Sequence, residues 1–330
     1  MRCLALAEAW QARGGDVTFV TRCESEALSS RIAAVVPRVI HVTGTHRSPE
    51  DDGVSELLRT RTGPHADRPW VVLDNYHFDE TYQLAVRSAG ARVLVIDDYA
   101  HLPAYHADVV LNQNLGAENL TYPVSAGAVL LRGPEYALLR AEFQPWRGWA
   151  RTFPETARKV LLTAGMSASR EFLLAALEAV RGTGLPGIDV AVVVGPNRSG
   201  GSPLADVPEA ADFRVRVIEN PGDLSAWMAW ADVAIAAGGV TAWELAFMGV
   251  PAVLVAVADN QRGAVRAMAA SGAAEYGGEA PDIAWTAVSA TLSVLMRDAE
   301  RRRHMSATAR RLVDGCGAER VAGVLAAIAA

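Results

Sequence analysis

The sequence predicts an α/β protein of two doubly wound domains, and three observations carry that reading. Short, wholly apolar runs such as Trp70-Val71-Val72-Leu73 alternate with segments of helical spacing, the pattern of parallel strands covered on both faces. The chain has 330 residues, and single cores seldom grow beyond about 250–300. Finally, Asp232 to Pro251, DVAIAAGGVTAWELAFMGVP, reads as a buried strand, a glycine turn and a helix with its open N-terminus facing the turn.

The elements follow in order. A helix over 1–13 places Leu4, Ala5 and Ala9 on one face and is closed by Gly14-Gly15. A strand at 16–21 comes directly after it. In a doubly wound domain the helix before a strand follows an earlier strand, so the first strand of this domain is expected to be missing from the sequence as it begins. A helix at 25–35, a strand at 38–42 and a charged region at 44–69 with a helical patch near 54–61 come next. A strand at 70–75, a helix at 79–89, a strand at 92–97 and two apolar runs at 108–111 and 128–131 complete the first half.

Residues 142–156, with Pro145, Pro154 and two tryptophans, break the alternation and are expected to link an N-terminal domain, 1–145, to a C-terminal one, 157–330. The second half restarts with a strand at 159–164, the Gly165-Met166-Ser167 turn and a helix to Arg181. Strands at 189–194 and 214–218, a helix at 224–230 and the strand, turn and helix of 232–248 follow. Next come a strand at 252–257 and a helix at 261–270. Helices at 283–296, 300–312 and 319–329 close the chain and are expected to pack back on the N-terminal domain.

Composition excludes several classes. A net charge of −6 and a pI near 5.7 argue against a nucleic-acid surface, and the Arg301-Arg302-Arg303-His304 cluster reads as a solvated helix face. No apolar run approaches membrane-spanning length. Cys3, Cys23 and Cys316 lack the spacing of a disulfide framework or a zinc site, and no signal peptide is visible, so a cytoplasmic protein without metal is expected.

Two such domains in series imply a cleft lined by the C-terminal ends of both sets of strands. Gly238 and Gly239 let a ligand approach the backbone, and the first free N–H groups of the helix carry roughly half a positive charge. Glu244, about one turn in, is placed to accept ribose hydroxyls; the alternative is a glycine turn kept for packing beside a solvated Glu. Gly165, Met166 and Ser167 stand ahead of another helix and are candidates for the same diphosphate. Asn260 and Gln261 open a helix after a strand, so Asn260 either caps it or reaches sugar hydroxyls. Tyr76 and His77 follow a buried strand, where they either meet a ligand or form a surface turn. Asp97 and Asp98 point to opposite faces, and helix capping by one of them is the preferred reading. None of the histidines is assigned chemistry. Serine hydrolase, P-loop, zincin and nicotinamide motifs are absent from the sequence.

Several segments together resemble one family. IENPGDLSAWMAWADVAIAAGGVTAWELAFMGVP followed by VADNQ is similar to the nucleotide-sugar half of GT-B proteins of the MurG type. Combined with VVLDNYHFDE, VLVIDDYAHLPAYHADVVLNQNLG and LLRGPEYALLRAEF, the chain resembles the PseG/SpsG family from Met1 to about Gly277. The resemblance implies a monomeric, cofactor-free enzyme that cleaves the anomeric C1–O bond of a UDP-diacetamido-trideoxy-hexose with water, as in pseudaminic acid synthesis. By position, Gly238, Gly239, Val240 and Thr241 would hold the diphosphate, Glu244 the ribose, and Pro221, Asp223 and Leu224 the uracil edge. Asn260 and Gln261 would contact the sugar, and Tyr76 would stand beside the reacting centre. The chain departs from the family pattern in three places: Asn75 replaces a His, Met166 a second glycine, and the Gly-x-Gly-His loop carrying the family's proposed general base would lie just before Met1. A GT-B glycosyltransferase using a UDP-sugar donor, or a UDP-sugar-binding protein without the base, are the alternatives.

Overall fold

The chain divides into two compact units, residues 1–141 with 316–330 and residues 142–315. The computed structural model describes residues 1–23, 25–42, 53–61, 68–165, 169–195 and 213–329. The first unit runs through α1 (Arg2–Ala12), β1 (Thr18–Thr21), α2 (Glu26–Val35), β2 (Arg38–His41), α3 (Val54–Arg61) and β3 (Trp70–Leu73). It continues with α4 (Glu80–Ser88), β4 (Arg92–Ile96), β5 (Val109–Asn112) and β6 (Val129–Arg132). The second unit holds β7 (Lys159–Thr163), α5 (Arg170–Arg181), β8 (Ile188–Val194), β9 (Phe213–Glu219), α6 (Leu224–Trp230) and β10 (Val233–Ala237). It closes with α7 (Val240–Met248), β11 (Ala252–Ala256), α8 (Asp259–Ala270), β12 (Glu275–Glu279), α9 (Trp285–Arg297) and α10 (Ala299–Leu312), after which α11 (Gly317–Ala329) belongs to the first unit.

In the first unit β3-β4-β5-β6 form a parallel sheet, and β1-β2 a separate parallel pair. The alternation along β4 explains why its core is apolar throughout. Val93 and Val95 pack with Leu58 of α3 and Tyr82 and Val86 of α4, whereas Leu94 and Ile96 pack with Ala5 and Leu6 of α1 and Val321 and Leu325 of α11. Successive strand residues face opposite ways, and both faces are covered. α1 also turns Leu4 and Ala7 toward Ile32 and Val36 beside the β1-β2 pair. α11 is held by more than its apolar stripe: Trp70 Nε1 donates to the Leu325 carbonyl at 3.1 Å and Arg320 to the Glu135 carbonyl at 2.8 Å.

The second unit is one parallel sheet of order β12-β11-β10-β7-β8-β9. From β7 the chain builds outward through β8 and β9, then returns to the other side of β7 with β10, so the order reverses between β7 and β10. α5 and α9 cover one face around Leu173, Leu177, Leu292 and Leu295. The stretch 142–156, whose composition reads as a linker, lies in this unit and is fixed there by the guanidinium groups of buried Arg302 and part-buried Arg151 and Arg310. Arg151 donates to the carbonyls of Met228, Ala231 and Met248, Arg310 to that of Trp149, and Arg302 to those of Pro154 and Glu155 and, at 2.7 and 2.6 Å, to Leu295 and Met296. Those of Met228, Met248, Leu295 and Met296 lie in the last turns of α6, α7 and α9, where carbonyls lack partners within their own helix. Burial pushes the Arg151 pKa down to about 10, opposed by the Asp232 charge.

Two details differ from expectation. β12, Glu-Tyr-Gly-Gly-Glu, has no apolar run to mark it, yet it pairs with β11 across a register shift between Leu254 and Ala256. A Cβ on Gly277 would press on Val253, the Leu254 carbonyl and Val255, so this glycine answers to close packing, whereas Gly278 holds a φ of +103 that favours glycine. Asn260 is not a helix cap: α8 begins one residue earlier, with Ala258 at the N-cap and no side-chain capping bond.

Candidate functional site

In an open α/β sheet, ligands bind outside the strand C-termini where the strand order reverses. Here that point is flanked by Gly165 after β7 and Gly238-Gly239 after β10. Gly165 has φ +63, and its surroundings are open to a side chain. Met166 and Ser167, expected beside it, lie outside the described residues. The two glycines after β10 differ in purpose. A Cβ on Gly238 would overlap a Val265 methyl of α8, which is a packing requirement, whereas Gly239 has only Gln261 Nε2 nearby, 3.7 Å from where a Cβ would stand.

Most helices that enter from strand ends carry a side-chain cap: Ser25 on α2, Asp79 on α4, Ser169 on α5 and Asp223 on α6 each accept from a backbone N–H of the first turn. α7 and α8 do not. Their N-cap residues, Gly239 and Ala258, make no side-chain capping bond, and the first N–H groups of a helix have no partner within it. Since β10 and β11 are neighbours, two uncapped, dipole-positive helix starts lie side by side at the switch point. Thr241 and Val240 belong to the first turn of one of them. Glu244 follows within the same helix and is buried, 3% exposed, which overturns the solvated alternative. Gln261 Oε1 accepts from the Val257 N–H at 3.0 Å, leaving its amide group beside Gly239.

The proposed uracil edge is more constrained than expected. Asp223 caps α6 through Ala226 and accepts from Ser225 Oγ at 2.5 Å, and the Leu224 N–H donates to Glu142 Oε1 at 3.3 Å. Pro221 follows Asn220, which holds a left-handed φ of 46.

The strand ends of the first unit carry a second constellation that sequence reasoning largely missed. Asp97 and Asp98, just past β4, do point to opposite faces, but neither caps a helix. Asp97 is fully buried and accepts from the N–H groups of Tyr99 (2.8 Å) and Ala100 (2.6 Å) and from the hydroxyls of Tyr105 (2.7 Å) and Tyr122 (3.3 Å). His101 completes the set, with Nδ1 2.5 Å from Asp97 Oδ2 and Nε2 3.2 Å from the Tyr76 carbonyl oxygen. Burial, with the Asp97 charge adding to it, drives the Tyr105 and Tyr122 phenols well above their ordinary pKa.

Asp98 faces α1 instead. It accepts from Arg2 at 2.7 Å, Asn114 at 3.0 Å and the Tyr76 hydroxyl at 2.5 Å, while Arg2 also reaches Asp74 at 2.8 Å. Burial pushes the Asp98 carboxyl up, but the Arg2 charge and hydrogen bonds from Arg2, Tyr76 and Asn114 outweigh it and leave the pKa below the usual value. Tyr76 is therefore no loose surface turn: its hydroxyl is tied to Asp98 and its carbonyl, through His101, to Asp97. The signal available in sequence was the run Asp-Asp-Tyr-Ala-His at a strand end, but its partners come from α1, β3 and β5.

No protein-family model matches the chain. Comparison with solved structures shows the fold. The chain superposes on MurG of Acinetobacter baumannii with a TM-score of 0.62 at 17% identity, covering 99% of this chain and 95% of that one. It superposes on the spinosyn rhamnosyltransferase SpnG complexed with spinosyn aglycone at 0.64 and 17%, covering 98% and 96%. For UDP-GlcNAc 2-epimerase from Neisseria meningitidis bound to UDP-GlcNAc the values are 0.63 and 13%, over 99% and 98%. The architecture is GT-B, two Rossmann-like domains, as the sequence reading expected. Among curated proteins, the spore coat polysaccharide biosynthesis protein SpsG of Bacillus subtilis (strain 168) is 25% identical over 244 residues, 71% of this chain and 69% of that protein. Within GT-B, the chain is thus PseG/SpsG-like, and the resemblance read from its motifs stands.

Proposed function

We propose that this protein is a UDP-sugar hydrolase, cleaving the anomeric C1–O bond of a UDP-diacetamido-trideoxy-hexose with water to release UDP and the free sugar. The observation that carries the nucleotide half is the pair of uncapped helix starts, α7 and α8, beside the strand-order reversal, with buried Glu244 one turn behind the first. As the C1–O bond breaks, negative charge grows on the departing diphosphate, and amide groups already aimed at it stabilise that charge without reorganising. In this reading Gly239, Val240 and Thr241 hold the diphosphate, Glu244 accepts the ribose hydroxyls, and Asn260 and Gln261 reach the sugar. Tyr76, whose hydroxyl and carbonyl are both held, is the first unit's candidate for a role in the reaction. The likeness to SpsG and the similarity to structures captured with UDP-GlcNAc or thymidine diphosphate support a nucleotide-sugar ligand. The chemistry assigned here needs no metal and is suited to a soluble cytoplasmic monomer; among the described residues no helix is long and apolar enough to cross a membrane.

A second reading, transfer of the sugar to an acceptor hydroxyl, is favoured by the rhamnosyltransferase and MurG likenesses. The two part on one measurement. Hydrolysis releases UDP from a UDP-diacetamido-trideoxy-hexose in buffer alone, at a rate proportional to protein; UDP that appears only once an acceptor is supplied overturns hydrolysis in favour of transfer.

A further inference from the structure

The loop after β4 surrounds a buried carboxylate whose hydrogen bonds fix where the nearby protons sit. Asp97 takes the N–H groups of Tyr99 and Ala100 on Oδ1. The two phenols beside it are committed as donors. Tyr105 Oη already accepts from the Leu102 N–H at 3.2 Å and Tyr122 Oη from Asn112 Nδ2 at 2.8 Å, so each turns its own proton to Asp97. The Asn112 amide is oriented in its turn, because its Oδ1 accepts from the Asn114 N–H at 2.9 Å. Burial, with the Asp97 charge adding to it, holds both phenols above their ordinary pKa, and they keep those protons. Four donors thus converge on the carboxylate before His101 is counted, and such bonds favour its ionised form.

His101 is brought back onto Asp97 by the turn between them. Ala100 takes a left-handed φ of 55, a strained conformation for a residue with a Cβ, and the ring Nδ1 comes to 2.5 Å from Asp97 Oδ2. Nε2 lies 3.2 Å from the Tyr76 carbonyl oxygen, which can only accept. A neutral imidazole has one N–H and one bare lone pair, so it satisfies one of these contacts and turns its lone pair on the other acceptor. Only the imidazolium satisfies both. Around the ring stand Tyr76, Tyr99 and Tyr105, with centroids 5.3, 5.2 and 6.5 Å away, and the Tyr76 hydroxyl leads on to Asp98, Arg2 and Asp74. The His101 side chain is 15% exposed, so water can exchange its proton.

We infer that protonated His101 is a latch between the loop after β3 and the loop after β4, and that loss of its ring proton releases the Tyr76 carbonyl. The Nδ1 proton is the one retained, because a bare nitrogen facing the Asp97 charge is worse placed than one facing a carbonyl dipole. His101 is then a positioning residue for Tyr76, and Asp97 fixes its proton. The latch lies wholly within the first unit; its effect on turnover rests on the role given to Tyr76 in the proposed function.

Two-bond proton–nitrogen correlation spectra of the isotope-labelled full chain, recorded as pH is raised while the protein stays folded, test the latch without any substitution. His101 is expected to carry protons on both ring nitrogens at the acid end and to pass to the Nδ1–H tautomer, and the Tyr76 carbonyl-carbon resonance should move along the same titration curve. A ring already neutral at the acid end, the Nε2–H tautomer as product, or a Tyr76 carbonyl that does not follow overturns the latch. His101→Gln, whose amide donates but does not titrate, should hold that resonance constant, and His101→Leu should leave it near its alkaline position throughout. UDP release from the UDP-diacetamido-trideoxy-hexose is read alongside: wild-type kcat should fall about tenfold over the same curve, the worth of one charge-assisted hydrogen bond, with KM little changed and the fall absent in His101→Gln. A fall that persists in His101→Gln overturns the positioning role. No UDP release at any pH removes the proposed function, while the spectra still decide the latch.

Discussion

Gly238 and Gly239 are adjacent and chemically identical, yet they do different things. Gly238 is small because Val265 leaves it no room, whereas Gly239 faces space beside Gln261. Gly238→Ala should therefore cost about 1–3 kcal/mol of stability through overpacking, visible as a lowered urea midpoint. Gly239→Ala, with room and an ordinary φ of −85, should leave the midpoint nearly unchanged and weaken UDP binding about tenfold by narrowing the approach to the first-turn amides. Equal stability losses for both would contradict this division. Glu244 supplies a third expectation. Glu244→Ala should weaken UDP by roughly 1–3 kcal/mol, the range for a hydrogen bond to a charged group, and calorimetry giving an unchanged Kd would remove its ribose role. Asp98 carries a pH expectation. Its folded pKa lies below the ordinary 3.8, so folding favours the ionised form. The stabilisation is complete above 3.8 and is lost as pH falls through the depressed value. Denaturation midpoints of wild type and Asp98→Asn should converge on acidification below that value, and a difference independent of pH would show that the carboxylate charge is not what matters.

Among the elements, the helix starts divide into those capped by a side chain and those that are not. α2, α4, α5 and α6 close their first turns with Ser or Asp, whereas α7, α8 and α9 have no side-chain cap; in the proposed function the first two of these would be satisfied by the ligand. That contrast was legible in part: the glycines ahead of α7 are unmistakable in sequence, but the missing cap on α8 was hidden because Asn260 is a good capping residue placed two positions too late. The ends of helices matter at the other terminus as well. α9 ends on carbonyls that Arg302 collects together with Pro154 and Glu155, joining the 142–156 stretch to the helix it passes. Arg302→Met keeps the bulk of the stem but removes the donor from the buried Leu295 carbonyl, at about 1–3 kcal/mol, whereas Met296 keeps the Ala157 N–H and Pro154 and Glu155 are exposed to water. A net loss of about 1–3 kcal/mol is expected from that balance. Arg302→Lys should recover little of it, because a single ammonium cannot span carbonyls that a planar fork reaches; full recovery in thermal denaturation would argue that only the charge counts.

For the molecule as a whole, local pattern and long-range pairing divided the work. Among the described residues, eleven of the strands and all of the α-helices follow from spacing that is visible within ten or so residues, because burial on both faces demands runs such as Val93-Leu94-Val95-Ile96 whatever the neighbours are. β12 escaped since Gly277 answers to Val255 on another strand, a constraint that no local window contains. The same division governs the candidate site. The amino-acid order alone established the α/β class, the glycine turn before α7 and the place of Glu244 one turn inside it, all set by backbone geometry over a few neighbouring residues. It could not say that Tyr76 is held by Asp98 and His101, that Arg2 crosses 96 residues to reach Asp98, or that Asp97 fixes a turn instead of a helix. Those pairings depend on which elements the sheet order brings against each face of β4, and an isolated carboxylate carries no mark of the donor that tertiary packing will deliver to it.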